Sequence, residues 1–141
     1  MTPFQVFRGP QVRASAAVLP CVVLRYTGEN QAATATAKAT ASHRPIGVSA
    51  EWTKYPPTPA FISNVNHADS GDPITYYTAG SVAQVRVGSS ALSSADTELT
   101  FDGSGYAIAA VSGDWVFGRN NHVAAANAKV EVRLEQPYIK A

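Results

Sequence analysis

The stretch Asp72-Pro73-Ile74-Thr75-Tyr76-Tyr77-Thr78-Ala79-Gly80-Ser81-Val82-Ala83-Gln84-Val85-Arg86-Val87-Gly88 reads as two short β runs bent at Gly80, with Gly88 as the stop. β-branched and aromatic residues fill the runs, and glycine punctuates them. Similar units follow, separated by Gly88-Ser89-Ser90, Asp102-Gly103-Ser104-Gly105, Ser112-Gly113-Asp114 and Gly118-Arg119-Asn120-Asn121. Leu99-Thr100-Phe101 and Tyr106-Ala107-Ile108 flank an Asp-Gly turn and predict a hairpin. In Ala128-Lys129-Val130-Glu131-Val132-Arg133-Leu134, apolar and charged residues alternate, which predicts a strand with one buried and one wet face. Asn120 to Asn127 reads as a single helical turn before it. Closely spaced strands with glycine turns predict an all-β fold, a small barrel or sandwich, and exclude a helical one.

Upstream the pattern is less regular. Residues 1–13 hold Pro3, Gly9 and Pro10, with Phe4, Val6 and Phe7 between them, and read as an extended N-terminal arm. Residues 14–26 are apolar but broken by Pro20, which disfavours a helix and leaves two short strands or one kinked strand. Tyr26 to Asn30 is a turn cluster. Residues 31–42 alternate Ala with Thr or Lys, a period of two that predicts a weak edge strand or a loop. After a turn at His43-Arg44, Pro45 to Ala50 predicts a short strand. Residues 51–61 read as a loop stiffened by Pro56, Pro57 and Pro59 and flanked by Trp52, Tyr55 and Phe61. The expected organisation is an arm over 1–13 and a single β-barrel domain over 14–141.

With 141 residues the chain suits one domain. Charged residues make up 15% of it, well below the ~25% usual for soluble domains. A sparsely charged surface is cheap to desolvate against another protein. The formal net charge of +1 points to neither nucleic acid nor an acidic membrane. Its distribution is uneven: residues 1–60 carry six Lys/Arg and two acids, residues 61–115 one and six, residues 116–141 four and two. Folding either keeps these blocks apart, giving a polar body suited to head-to-tail contacts, or cancels them between neighbouring strands. Cys21 is alone in an apolar run, so it reads as a small core side chain. No secretory signal or membrane-length apolar run is present, and a soluble protein made in a cytoplasm is expected.

Catalytic patterns are weak. His43, His67 and His122 sit in polar or turn settings, and no Gly-x-Ser-x-Gly elbow is present. His67-Ala68-Asp69 with Asp72 is the best metal candidate, yet loop residues are its plainer reading. Asp102 to Gly105 lacks a calcium loop's acids and fits a turn. No aromatic and basic residues interleave as a base-stacking platform would need. The expectation is a non-enzymatic protein without cofactor or metal.

Several pieces recur in a meaningful order: Pro45-Ile46-Gly47-Val48, then Gly80-Ser81-Val82-Ala83-Gln84-Val85, then Thr97-Glu98-Leu99-Thr100 before Asp102-Gly103-Ser104-Gly105. A Gly118 to Ala126 segment and the strand Val130-Glu131-Val132-Arg133-Leu134 close the series. Over roughly residues 14–135 this order resembles the capsid decoration, or cement, proteins of tailed bacteriophages, small β-barrel or β-tulip-like domains of short antiparallel strands. The Trp52 to Phe61 segment is longer than that family's plain turn, and the arm matches none of its motifs.

The resemblance implies a virion structural protein on the outer surface of a bacteriophage head. It would be made in the host bacterial cytoplasm and stabilise the mature shell. The implied partners are the major capsid protein of an HK97-type shell and further copies of itself, as a homotrimer, with no nucleic acid or membrane. Phe4, Val6, Phe7, Trp52, Tyr55, Pro56, Pro57 and Phe61 are the expected partner-binding residues. The alternative is a carbohydrate- or receptor-binding β module of a phage fibre or spike, stacking sugars on Trp52, Tyr55, Tyr76 and Tyr77.

Overall fold

The structure, a computed structural model, describes residues 11–38, 43–54 (51–54 by their backbone) and 68–141. Every regular element among them is a strand: β1 (Val12–Ala14), β2 (Val23–Gly28), β3 (Gln31–Thr34), β4 (Pro45–Lys54), β5 (Pro73–Tyr77), β6 (Val82–Arg86), β7 (Glu98–Phe101), β8 (Ala107–Ala109), β9 (Trp115–Asn120) and β10 (Lys129–Ile139). The first five close into a barrel in the order β1-β3-β2-β4-β5, and the rest form a sheet ordered β6-β10-β9-β7-β8. Pairing is antiparallel throughout except between β1 and β3, which run parallel. The second sheet curls until its edges meet at a parallel bridge between Val87 and Ala107.

Two apolar clusters follow from the alternation of side chains along each strand. Val12, Ala14, Val22, Leu24, Ala32, Ile74 and Tyr76 fill the barrel. Val85, Leu99, Phe101, Phe117, Val130, Val132 and Leu134 fill the curled sheet, and Val23 and Val48 join them from the barrel side. Val23 and Val48 lie opposite each other in the β2–β4 register. The consecutive run Val22-Val23-Leu24 is therefore buried on both faces, as strands covered on both sides usually are.

A polar seam joins the halves. Cys21 donates to the Ser49 carbonyl at 3.1 Å and accepts from the Arg86 amide at 2.9 Å. The Ser49 hydroxyl accepts from the Val22 amide at 3.0 Å and donates to the Leu19 carbonyl at 2.8 Å. Cys21 is 1% exposed at this seam and adopts φ 61°, so the expected core placement holds, in a left-handed turn. The β7–β8 turn is closed by Asp102, whose Oδ1 accepts from the amides of Ser104 (2.8 Å) and Tyr106 (3.0 Å).

Several expectations change. The two runs of Asp72–Gly88 are strands β5 and β6, but they belong to different sheets, so their glycine bend is the crossover between the halves. Val12 and Arg13, placed in the arm, pair with β5 and β3 inside the barrel. The Ala/Thr segment supplies β3, an interior strand, because Ala32 packs within the barrel where a small side chain fits. β4 runs on to Lys54, past the expected start of the proline loop at residue 51. Residues 121–127 form bends and an antiparallel Leu92–Ala124 bridge in place of a helical turn.

Ion pairs among the described residues join the charge blocks. Across the outer face of β10, β9 and β7, Arg119 meets Glu135 at 3.2 Å, Lys140 meets Glu98 at 3.5 Å, and Arg133 pairs with Asp96. Lys38 reaches the nearly buried Asp114 at 3.3 Å. The acidic middle of the sequence is thus laced to its basic end, and the polar body required for charge-guided head-to-tail contact does not form from these groups. Such exposed pairs contribute only ~0–1 kcal/mol each.

Candidate functional site

Two regions of the barrel are candidate sites. The first surrounds Ile74. In the register of the barrel, Val12 of β1 pairs with Ile74 on one side and Lys54 of β4 pairs with it on the other. The segments that follow outward in sequence, residues 1–10 and residues 55–67, are thus rooted on the two flanks of one strand. At ~4.8 Å per strand spacing the roots are about 10 Å apart. The second of these segments rejoins the described chain at Ala68, which bridges Val18 with hydrogen bonds of 2.8 and 2.9 Å. Phe4, Val6, Phe7, Tyr55, Pro56, Pro57 and Phe61 lie outside the described residues, as does His67. Trp52 is placed by its backbone near the end of β4.

The second region is a cleft of about 280 Å³ between the barrel and the bulged edge of β10. Tyr26, Arg44, Pro45, Ile46, Gly47, Thr78 and Ala79 line its barrel side, and Phe117 with Leu134 to Pro137 line the other. It starts four residues along the chain from Ile74, or about 13 Å at ~3.3 Å per residue. Gly47 is required in its wall, because a Cβ there would run into the Tyr77 carbonyl. Gly80 donates to the Leu134 carbonyl at 2.9 Å and Leu134 to the Ser81 carbonyl at 2.8 Å, pinning β10 against the β5–β6 crossover. The β9–β10 register slips between Leu134 and Tyr138, which frees Glu135, Gln136 and Pro137 to form the rim.

At the cleft the Tyr26 and Tyr76 hydroxyls are 3.4 Å apart. Tyr76 is 2% exposed and Tyr26 46%. Burial, reinforced by the neighbouring Tyr26 hydroxyl, holds the Tyr76 phenol well above its ordinary value, so it stays neutral. Tyr76 is therefore no sugar-stacking surface, and half-buried Tyr77 packs against the core of the curled sheet. Tyr26, read only as part of a turn, is the aromatic residue that faces solvent here. The signal for the rim was Pro137, a proline in a strand pattern, which marks a bulge.

His122 is exposed and His43 half-buried. Among the described residues no three His, Cys, Asp or Glu side chains could hold a metal ion. Asp72, from the metal candidate, instead accepts from the Asp69 amide at 2.9 Å and closes a local turn. Among those residues, too, no helix is long and apolar enough to cross a membrane.

No family model matches the chain, and no curated protein matches it. Among solved structures it is similar to the N base of the head fibre gp8.5 of bacteriophage phi29, with a TM-score of 0.62 and 19% identity. That similarity covers 97% of this chain and 100% of the other, so the two share one fold from end to end.

Proposed function

We propose that this chain is a non-enzymatic structural protein of a bacteriophage virion that binds the outside of the head and cements the mature shell. The observation that carries the reading is the fold, shared over 97% of this chain with a head-fibre base. The double attachment at Ile74 supports it: Val12 and Lys54, beyond which lie two segments rich in aromatics and prolines, pair with the same residue. Phe4, Val6, Phe7, Trp52, Tyr55, Pro56, Pro57 and Phe61 are the proposed contacts with an HK97-type major capsid protein. Homotrimers at three-fold positions would multiply these contacts.

A ligand that binds only the assembled shell stabilises it by mass action. The test is the heat-induced rupture of undecorated heads, followed by DNA release, as purified protein is titrated in. The rupture temperature should rise with protein concentration and then saturate. An unchanged temperature at saturating protein would remove the cementing role. The fibre-base likeness also favours a second reading, in which the barrel mounts a longer appendage on the head.

A further inference from the structure

We infer that the cleft between the barrel mouth and the β10 bulge is a binding site for one neutral sugar ring. The inference rests on the cleft alone and is independent of shell binding.

Its chemistry is two-sided. Pro45, Ile46, Ala79, Phe117, Leu134 and Pro137 give an apolar floor that suits the C–H face of a pyranose. The rim supplies donors and acceptors together: the Arg44 guanidinium, the Gln136 amide, the Glu135 carboxylate and the Tyr26 hydroxyl. Sugar hydroxyls both donate and accept, so they can satisfy such a mixed rim. The lining carries one cation, Arg44, and one anion, Glu135. A phosphate or carboxylate would gain Arg44 but face Glu135, whereas a fatty ligand would desolvate both charges without replacing their hydrogen bonds.

The rim groups also have partners of their own. Arg119 pairs with Oε1 of Glu135 at 3.2 Å. The Tyr76 hydroxyl is buried, and Tyr26 is its hydrogen-bond partner among the described residues. Either hydroxyl can be the donor of that bond, so Tyr26 can present a ligand with a proton or with a lone pair. A volume of about 280 Å³ equals about nine waters at ~30 Å³ each, which suits one monosaccharide ring.

The test is an amide NMR titration of the full-length protein with methyl glucoside, methyl galactoside, methyl mannoside and N-acetylglucosamine, each to high millimolar concentration. Inorganic phosphate and octanoate serve as the anionic and apolar probes. Saturable shifts at Tyr26, Ile46, Gly47, Ala79 and Gln136 with at least one sugar are expected. Gln136→Ala and Tyr26→Phe should each weaken that sugar about three- to tenfold, the loss of one hydrogen bond, while Val123→Ala leaves it unchanged. No saturable shift with any sugar overturns the inference, and so does stronger binding of phosphate or octanoate at the same residues. Head binding by the Gln136→Ala protein should equal that of the parent, which separates this test from the test of shell binding.

Discussion

The Val23 amide donates to the Gly105 carbonyl at 2.9 Å, so the turn of the β7–β8 hairpin is seated directly on the second strand of the barrel. Gly105 has φ +76°, and a Cβ there would stand 2.5 Å from Thr34 Cγ2. Gly105→Ala is expected to cost about 2–4 kcal/mol, combining backbone strain with overpacking. Gly103→Ala, two residues away in open space, should stay within about 0.5 kcal/mol of the parent. Urea unfolding of the two variants checks both values, and equal stabilities would mean the turn does not bear on the barrel.

Asn120 is fully buried and ties down the chain ahead of β7. Its Oδ1 accepts from the Thr97 amide at 2.8 Å, while its Nδ2 donates to the carbonyls of Ser94 at 2.8 Å and His122 at 2.9 Å. Asn120→Ala removes three hydrogen bonds to backbone groups, of which the Ser94 carbonyl keeps the Thr97 hydroxyl at 3.0 Å, and should destabilise by about 2–4 kcal/mol. Hydrogen exchange at the Thr97 amide should rise more than at Val132, and equal changes at both would point to global unfolding alone.

On the exposed face, the Tyr138 hydroxyl donates to Glu98 at 2.6 Å. This bond, with Lys140 and Arg119 nearby, holds the Glu98 carboxyl below its ordinary value. A carboxyl lowered in the folded state contributes stability above its unfolded value, about pH 4, and that contribution fades as pH falls through the folded value. Tyr138→Phe should therefore move the Glu98 titration upward in carbon-detected NMR and weaken the acid dependence of folding. A titration unchanged by the substitution would contradict this assignment.

The arm prediction needs the boundary found in the barrel. Deleting residues 1–12 would remove Val12, which is 1% exposed and packs in the barrel core. Deleting residues 1–10 instead leaves β1 whole, so the protein should keep its melting temperature within a few degrees while losing its binding to heads. Full head binding by the truncated, folded chain would exclude the arm as a contact.

These outcomes also show which features could be read from residues alone. Local chemistry was legible: the Asp-Gly turn gave the β7–β8 hairpin, and the alternation of Val130, Val132 and Leu134 gave the inward face of β10. Non-local choices were not. Gly80 announces a bend, but nothing in residues 72–88 says that β5 closes a barrel while β6 joins another sheet. β3 read as no more than an edge strand or a loop because its buried residue is Ala32, whose small side chain carries little hydrophobic signal, and because its pairing with β1 skips over β2 in sequence. The cleft was illegible for the same reason, since Tyr26, Arg44, Ala79, Phe117 and Gln136 meet only after both halves have folded.

The central claim is that this barrel sits on the outside of a phage head, rooted through the segments that flank Ile74. Cryo-EM of undecorated heads mixed with the purified full-length protein tests it most directly. The account predicts barrel-shaped density on the outer surface at three-fold or quasi-three-fold positions, with the Ile74 side of each barrel toward the capsid protein. Heads that remain bare at saturating protein would contradict it.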